Sequence, residues 1–245
     1  MIASVRVGAG LARLLLVLFA TLTTIGVATA QTAQTPATNV NEIIGHVVHH
    51  YSAESKGVVG VRSRSVLRID APMNHRKTST TNWYVYKDGN LVATSEAPDP
   101  RRPPLHDPLR SRYHGEYRFK PESCADCPAG AVAIGYSSPT HDEVHAHGTM
   151  IVDVGSAHVL HASEVPYAFP RPTHDGKLAI TWGRADIGWF PTQVSGEFSG
   201  RVGPFSGVAH YDQMFAPYAR YASANAAVST LVARTRQPRA SNSAH

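Results

Sequence analysis

The stretch Val59-Gly60-Val61-Arg62-Ser63-Arg64-Ser65-Val66-Leu67-Arg68-Ile69-Asp70 decides the fold. Val59, Val61, Leu67 and Ile69 are apolar at odd positions; Arg62, Arg64, Arg68 and Asp70 are charged at even ones. A period of two sends the two sets to opposite faces of a strand, one against a core and one in water. Strands covered on one face only belong to antiparallel sheets, because parallel sheets are buried on both.

Upstream, residues 41–55 change to a helical period. Ile43, Ile44, Val47, Val48 and Tyr51 form one apolar stripe at three- and four-residue spacing. Asn39 or Asn41 caps the start, and Gly57 suits a left-handed end. Downstream, the pattern predicts strands over 78–86 and 91–95 about a Lys87-Asp88-Gly89-Asn90 hairpin turn. Further strands follow over 112–120, 131–137, 144–154, 157–165, 177–187, 193–202 and 205–212. Residues 215–232 read as partly helical or irregular, with Tyr218 and Tyr221 as docking residues, and 234–245 as a basic tail. One helix and about nine or ten sequential strands make a sheet that must curl or close to hide its edges. The fold class is mainly β (α+β). It is a strongly curved antiparallel sheet or unclosed half-barrel, with the N-terminal amphipathic helix across its concave face. Residues 41–222 make one such domain.

The 245 residues are 42% hydrophobic and 17% charged, too apolar for a disordered chain and too broken for many membrane spans. The formal charge of +5 is spread along the chain. With no basic run to track a phosphate backbone, nucleic acid is excluded as the main partner. Residues 1–30 read as a secretory signal. Arg6 and Arg13 precede the apolar run Leu14-Leu15-Leu16-Val17-Leu18-Phe19-Ala20, and Ala28-Thr29-Ala30 is a cleavage pattern. The alternative is an uncleaved anchor, weakened by Thr21, Thr23 and Thr24. The expectation is a periplasmic or secreted protein, cut near Ala30, with a polar disordered linker over 31–40.

Export bears on the cysteines. Cys124-Ala125-Asp126-Cys127 sits between Pro121 and Pro128 and lacks a second CxxC to complete a zinc site. A small disulfide-closed loop is favoured over a redox or metal role. The stretch 96–112 carries Pro98, Pro100, Pro103, Pro104 and Pro108 among arginines. It reads as a loose insertion in preference to a flap over a cavity mouth. On that reading, a Gly-Ser linker in place of 101–109 leaves folding intact. As a flap, it makes at best weak contact with a membrane surface.

Three segments carry a resemblance. One is the opening helix followed by Gly57-Val58-Val59-Gly60-Val61, in a strand ending near Pro72. The second is Trp83-Tyr84-Val85-Tyr86-Lys87-Asp88-Gly89-Asn90-Leu91, an aromatic hairpin about Asp-Gly. The third is Gly148-Thr149-Met150-Ile151-Val152-Asp153 followed by Val159. Together they resemble the outer-membrane lipoprotein carrier family (LolA/LolB-like). The resemblance implies an exported half-barrel with helices across its mouth and a lipid or lipoprotein acyl chain as cargo. The family's functional Arg before the proline that ends the first long strand is Ala71 here, with Arg68 and Arg76 nearby.

The expected function is non-catalytic binding of an apolar ligand, with no cofactor and the protein partner unassigned. The predicted lining is Val59, Val61, Leu67, Ile69, Trp83, Val85, Met150, Val152, Leu178, Ile180 and Trp182; the competing reading is that these residues fill a dry core. The alternative function is divalent-metal binding by His141, His145 and His147, three imidazoles beside Asp142 and Glu143. The competing reading makes His145 and His147 the polar face of a strand. No Gly-x-Ser-x-Gly, His-Glu-x-x-His or phosphate-cradling loop occurs, so no catalytic residue is assigned.

Overall fold

The computed structural model describes residues 39–72, 74–96, 104–169 and 171–236. The signal expected over 1–30 and the tail beyond 236 lie outside the described residues, as does 97–103 of the Pro-rich stretch. No helix of the described residues is long and apolar enough to cross a membrane.

Helix α1 (Val40–Glu54) opens the described chain. The Asn39 side chain accepts from Asn41 N at 3.2 Å, and Ser55 Oγ donates back to Tyr51 O at 2.7 Å. Ten strands follow: β1 (Val58–Ala71), β2 (Asn74–Lys87), β3 (Asn90–Thr94), β4 (Arg118–Glu122), β5 (Ala131–Ser137), β6 (Ala146–Asp153), β7 (His158–Pro166), β8 (Thr173–Ala185), β9 (Gly188–Val202) and β10 (Phe205–Tyr221). Helix α2 (Ala224–Arg236) closes the order. The strands form one antiparallel sheet ordered β3-β2-β1-β10-β9-β8-β7-β6-β5-β4, with β1 seated between β2 and the last strand. The sheet does not close: β3 and β4 are its two edges. Both edges are five residues long and β4 carries Pro121, features that discourage further strand pairing.

The sheet is mainly β and curved, as the alternation predicted. Tyr86 of β2 and Tyr136 of β5 line the same cavity although seven strand spacings separate them. In a flat sheet that is about 34 Å. Helix α1 lies on the inner face, where Ile43, Ile44 and Val47 pack with Ile134, Met150, Val152 and Val159. Helix α2 lies on the outer face, where Ala227 and Leu231 bury Val85 and pack against Val58 and Trp83. Gly60 permits this approach, since a Cβ there would meet the Tyr221 ring and Leu231.

The structure corrects three expectations. The alternation over 112–117 does not make a strand. Tyr113 N and His114 N both donate to Arg110 O, and Glu116 N to Tyr113 O, so the chain turns helically through His114–Glu116 before β4. The last strand does not stop near 212. It runs to Tyr221, absorbing Pro217 in a bulge between the pairs Val61–Tyr218 and Ser63–Phe215, where β9 no longer pairs with it. The Pro-rich stretch is not loose throughout. Its second half, 104–113, is a strap in which Leu109 is 3% exposed within the α1 core. His106 N donates to Val144 O at 2.7 Å, and the Arg110 guanidinium donates to Gly89 O of the β2–β3 turn. Cys124 and Cys127 are joined in the β4–β5 connection.

Candidate functional site

A cavity of about 250 Å³ lies between α1, the strap and the inner face of the sheet. Its apolar wall comes from Val59, Met150, Val159, Ile180, Trp182, Phe190, Val194, Phe215 and Tyr218, with Leu105 and Leu109 supplied by the strap. Each sheet residue reaches it because alternation sends every second side chain inward. Bulges correct the parity where it would fail, as at Thr192, which lets Pro191 face Trp182 and Gln193 face Thr181.

One side of the cavity is polar. Tyr136 Oη donates to Glu164 Oε2 at 3.2 Å, and Tyr51 Oη donates to Asp107 Oδ2 at 2.9 Å. Arg110 Nε lies 3.5 Å from the same Asp107 oxygen. Burial, then the nearby Asp107 charge, raises the Glu164 carboxyl to about 7. Burial and Asp107 likewise raise the Tyr51 phenol far above its ordinary value. The indole Nε1 of Trp182 is a buried donor with no acceptor among the described residues.

Of the predicted lining, Val59, Met150, Ile180 and Trp182 line the cavity. Val61 and Val152 face inward but are packed beneath its wall, Val61 with Tyr84 and Phe190, Val152 with α1. Half-buried Leu178 is no part of the wall; it packs against Gly196. Leu67 is 36% exposed and Ile69 half-buried toward the far end of β1, where the inner face is open. Trp83 and Val85 are corrected outright: they lie on the outer face beneath α2. Aromatic and apolar residues occupy both faces of 83–86, so alternation offered no parity there. Tyr84 and Tyr86 take the inner side.

The histidines are also rearranged. Strand β6 begins at Ala146, so period two does not carry from His147 back to His145. His141 stacks on Tyr167 at 4.0 Å between ring centroids, and His147 lies 4.9 Å from the same ring. His145 turns inward and is 7% exposed. It meets His106 and Glu116, whose ligand atoms lie with its own within 4.8 Å. Sequence spacing carried no signal for this trio, which the strap, a helical turn and the β5–β6 connection bring together. For Glu164 a signal existed: it stands two residues beyond the inward-facing Ala162.

The fold and cavity define an open antiparallel half-barrel with a lined interior. No family model and no curated protein matches the chain. Among solved structures it is similar to a LolA superfamily protein from Nitrosomonas europaea, at 11% identity and TM-score 0.37, covering 77% of this chain and 96% of that one. It is also similar to a DUF1329 family protein from Desulfovibrio piger, at 12% identity and TM-score 0.41, covering 76% and 94%. A third is MucB in complex with MucA, at 9% identity and TM-score 0.26, covering 76% and 100%.

Proposed function

We propose that this protein is a non-catalytic carrier that holds a single acyl chain in the cavity beneath α1 and the strap. The observation that carries the reading is the cavity itself, about 250 Å³ with a largely aliphatic and aromatic wall. An apolar cavity of about 150 Å³ already takes up benzene. This one is larger, and its apolar wall suits an alkyl chain. The polar side selects the ligand's head. Glu164 stands near neutrality and turns anionic above its raised value, which disfavours a free carboxylate beside it. A neutral ester, amide or hydroxyl is favoured there. The secretory signal expected over residues 1–30 supports the reading, since it would send the carrier out of the cytoplasm.

Uptake of a fluorescent naphthylamine probe, displaced by monoacylglycerol and by fatty acid at pH 8, tests this. Monoacylglycerol is expected to displace the probe better, and Ile180→Trp, which fills the cavity, to abolish uptake with the fold intact by circular dichroism. If neither lipid displaces the probe, and native mass spectrometry after mild extraction finds no bound lipid, the carrier reading fails.

A further inference from the structure

His106, Glu116 and His145 carry an inference outside the cavity. His106 Nδ1 lies 2.7 Å and His145 Nε2 3.1 Å from one atom, Glu116 Oε2. On the other side of the His145 ring, Nδ1 lies 2.6 Å from Asp142 Oδ1. Carboxylates only accept, so His145 must donate from both nitrogens to satisfy this pattern. A neutral imidazole has one N–H. The side chain is 9% exposed, with a carboxylate oxygen within 3.1 Å of each ring nitrogen.

A divalent cation removes that demand. With a metal among the three groups, His145 would give an N–H from Nδ1 to Asp142 and turn Nε2 to the ion. That is the carboxylate–histidine–metal arrangement by which ligating imidazoles are oriented. Glu116 and His106 supply the other donors, and two imidazoles with one carboxylate suit Zn²⁺ with a coordination position left for water. We propose that His106 Nδ1, His145 Nε2 and Glu116 form a Zn²⁺ site, with Asp142 as the positioning residue behind His145.

The donors are held in place independently of an ion. Asp142 Oδ1 also accepts from Val144 N and His145 N, at 3.0 and 3.1 Å. The His106 ring stacks on Tyr113 at 3.8 Å, and its carbonyl accepts from Tyr117 Oη. His106 also lies between Leu105 and Asp107, both of which line the cavity, so the ion would fasten the strap to the start of β6. His141 and His147 are set apart by their contacts with Tyr167.

The test uses Zn²⁺ alone as the probe. Full-length protein, stripped with a chelator and desalted, is titrated in competition with a chromophoric Zn²⁺ indicator. One equivalent is expected, with a raised melting temperature and a tetrahedral visible spectrum when Co²⁺ is substituted. His106→Gln and Glu116→Gln should each weaken binding at least tenfold, and Asp142→Asn by about 10–100-fold. His141→Ala and His147→Ala should leave it unchanged. If His106→Gln fails to fold, Glu116→Gln decides, its side chain being 39% exposed. Absence of binding tighter than about 1 μM in the wild-type protein overturns the site. So does binding that survives Glu116→Gln and disappears with His141→Ala or His147→Ala.

Discussion

Glu164 is a carboxyl group set beside Tyr136 on the cavity wall, and its raised value makes stability depend on pH. Between 4.5 and about 7 the folded protein keeps a proton that the unfolded chain releases. The stabilisation is complete below 4.5 and is lost as pH rises through about 7. The difference is about 3 kcal/mol, from about 1.4 kcal/mol per unit. Glu164→Gln should therefore match wild type near pH 4.5 and exceed it at pH 8, by about 6–12 °C in melting temperature. A gap independent of pH, measured by thermal denaturation, would contradict this. Gly148 carries a steric constraint of another kind. A Cβ there would collide with the Ser163 carbonyl across the β6–β7 pair, and the backbone of a paired strand cannot swing aside. Gly148→Ala should cost about 3 kcal/mol in urea denaturation, the upper end for overpacking.

The strap and α2 are both packed on the sheet, but on opposite faces, so they separate stability from binding. Leu109 is 3% exposed on the inner face and lines the cavity. Leu231 is 2% exposed on the outer face. Truncating either to Ala should cost about 2–5 kcal/mol through lost burial and a residual void. Only Leu109→Ala should also weaken uptake of the apolar probe, by tenfold or more; Leu231→Ala should leave affinity unchanged. Equal effects on uptake would mean that the cavity does not open toward the strap. Replacing 104–109 with a Gly-Ser linker should lower the melting temperature, contrary to the expectation for a loose insertion, because Pro108 and Leu109 are buried.

At the scale of the molecule, the curved sheet is a frame on whose inner face α1 and the strap pack. The strap is held by few backbone hydrogen bonds, among them His106 N to Val144 O, whereas β1 is paired along its length on both sides. Local opening should start where such bonds are few. Hydrogen exchange should therefore show the strap exchanging before β1, and a bound acyl ligand should slow exchange in 104–113 while leaving α2 unaffected. Slowing confined to α2 would place the ligand on the outer face. The curved antiparallel sheet, α1 and the Asp88-Gly89 hairpin were legible in the sequence because each rests on a local periodicity or turn chemistry. Val59, Met150, Ile180 and Trp182 were legible as inward residues for the same reason. The inside and outside of 83–86, the burial of Leu109 and the continuation of β10 past Pro217 were not. They depend on which partner covers a face and which strand edge is left unpaired, and neither is written in local spacing. The meeting of His106, Glu116 and His145 was decided by tertiary structure alone, because the β3–β4 connection delivers His106 and Glu116, and the β5–β6 connection His145, to a point that no periodicity links.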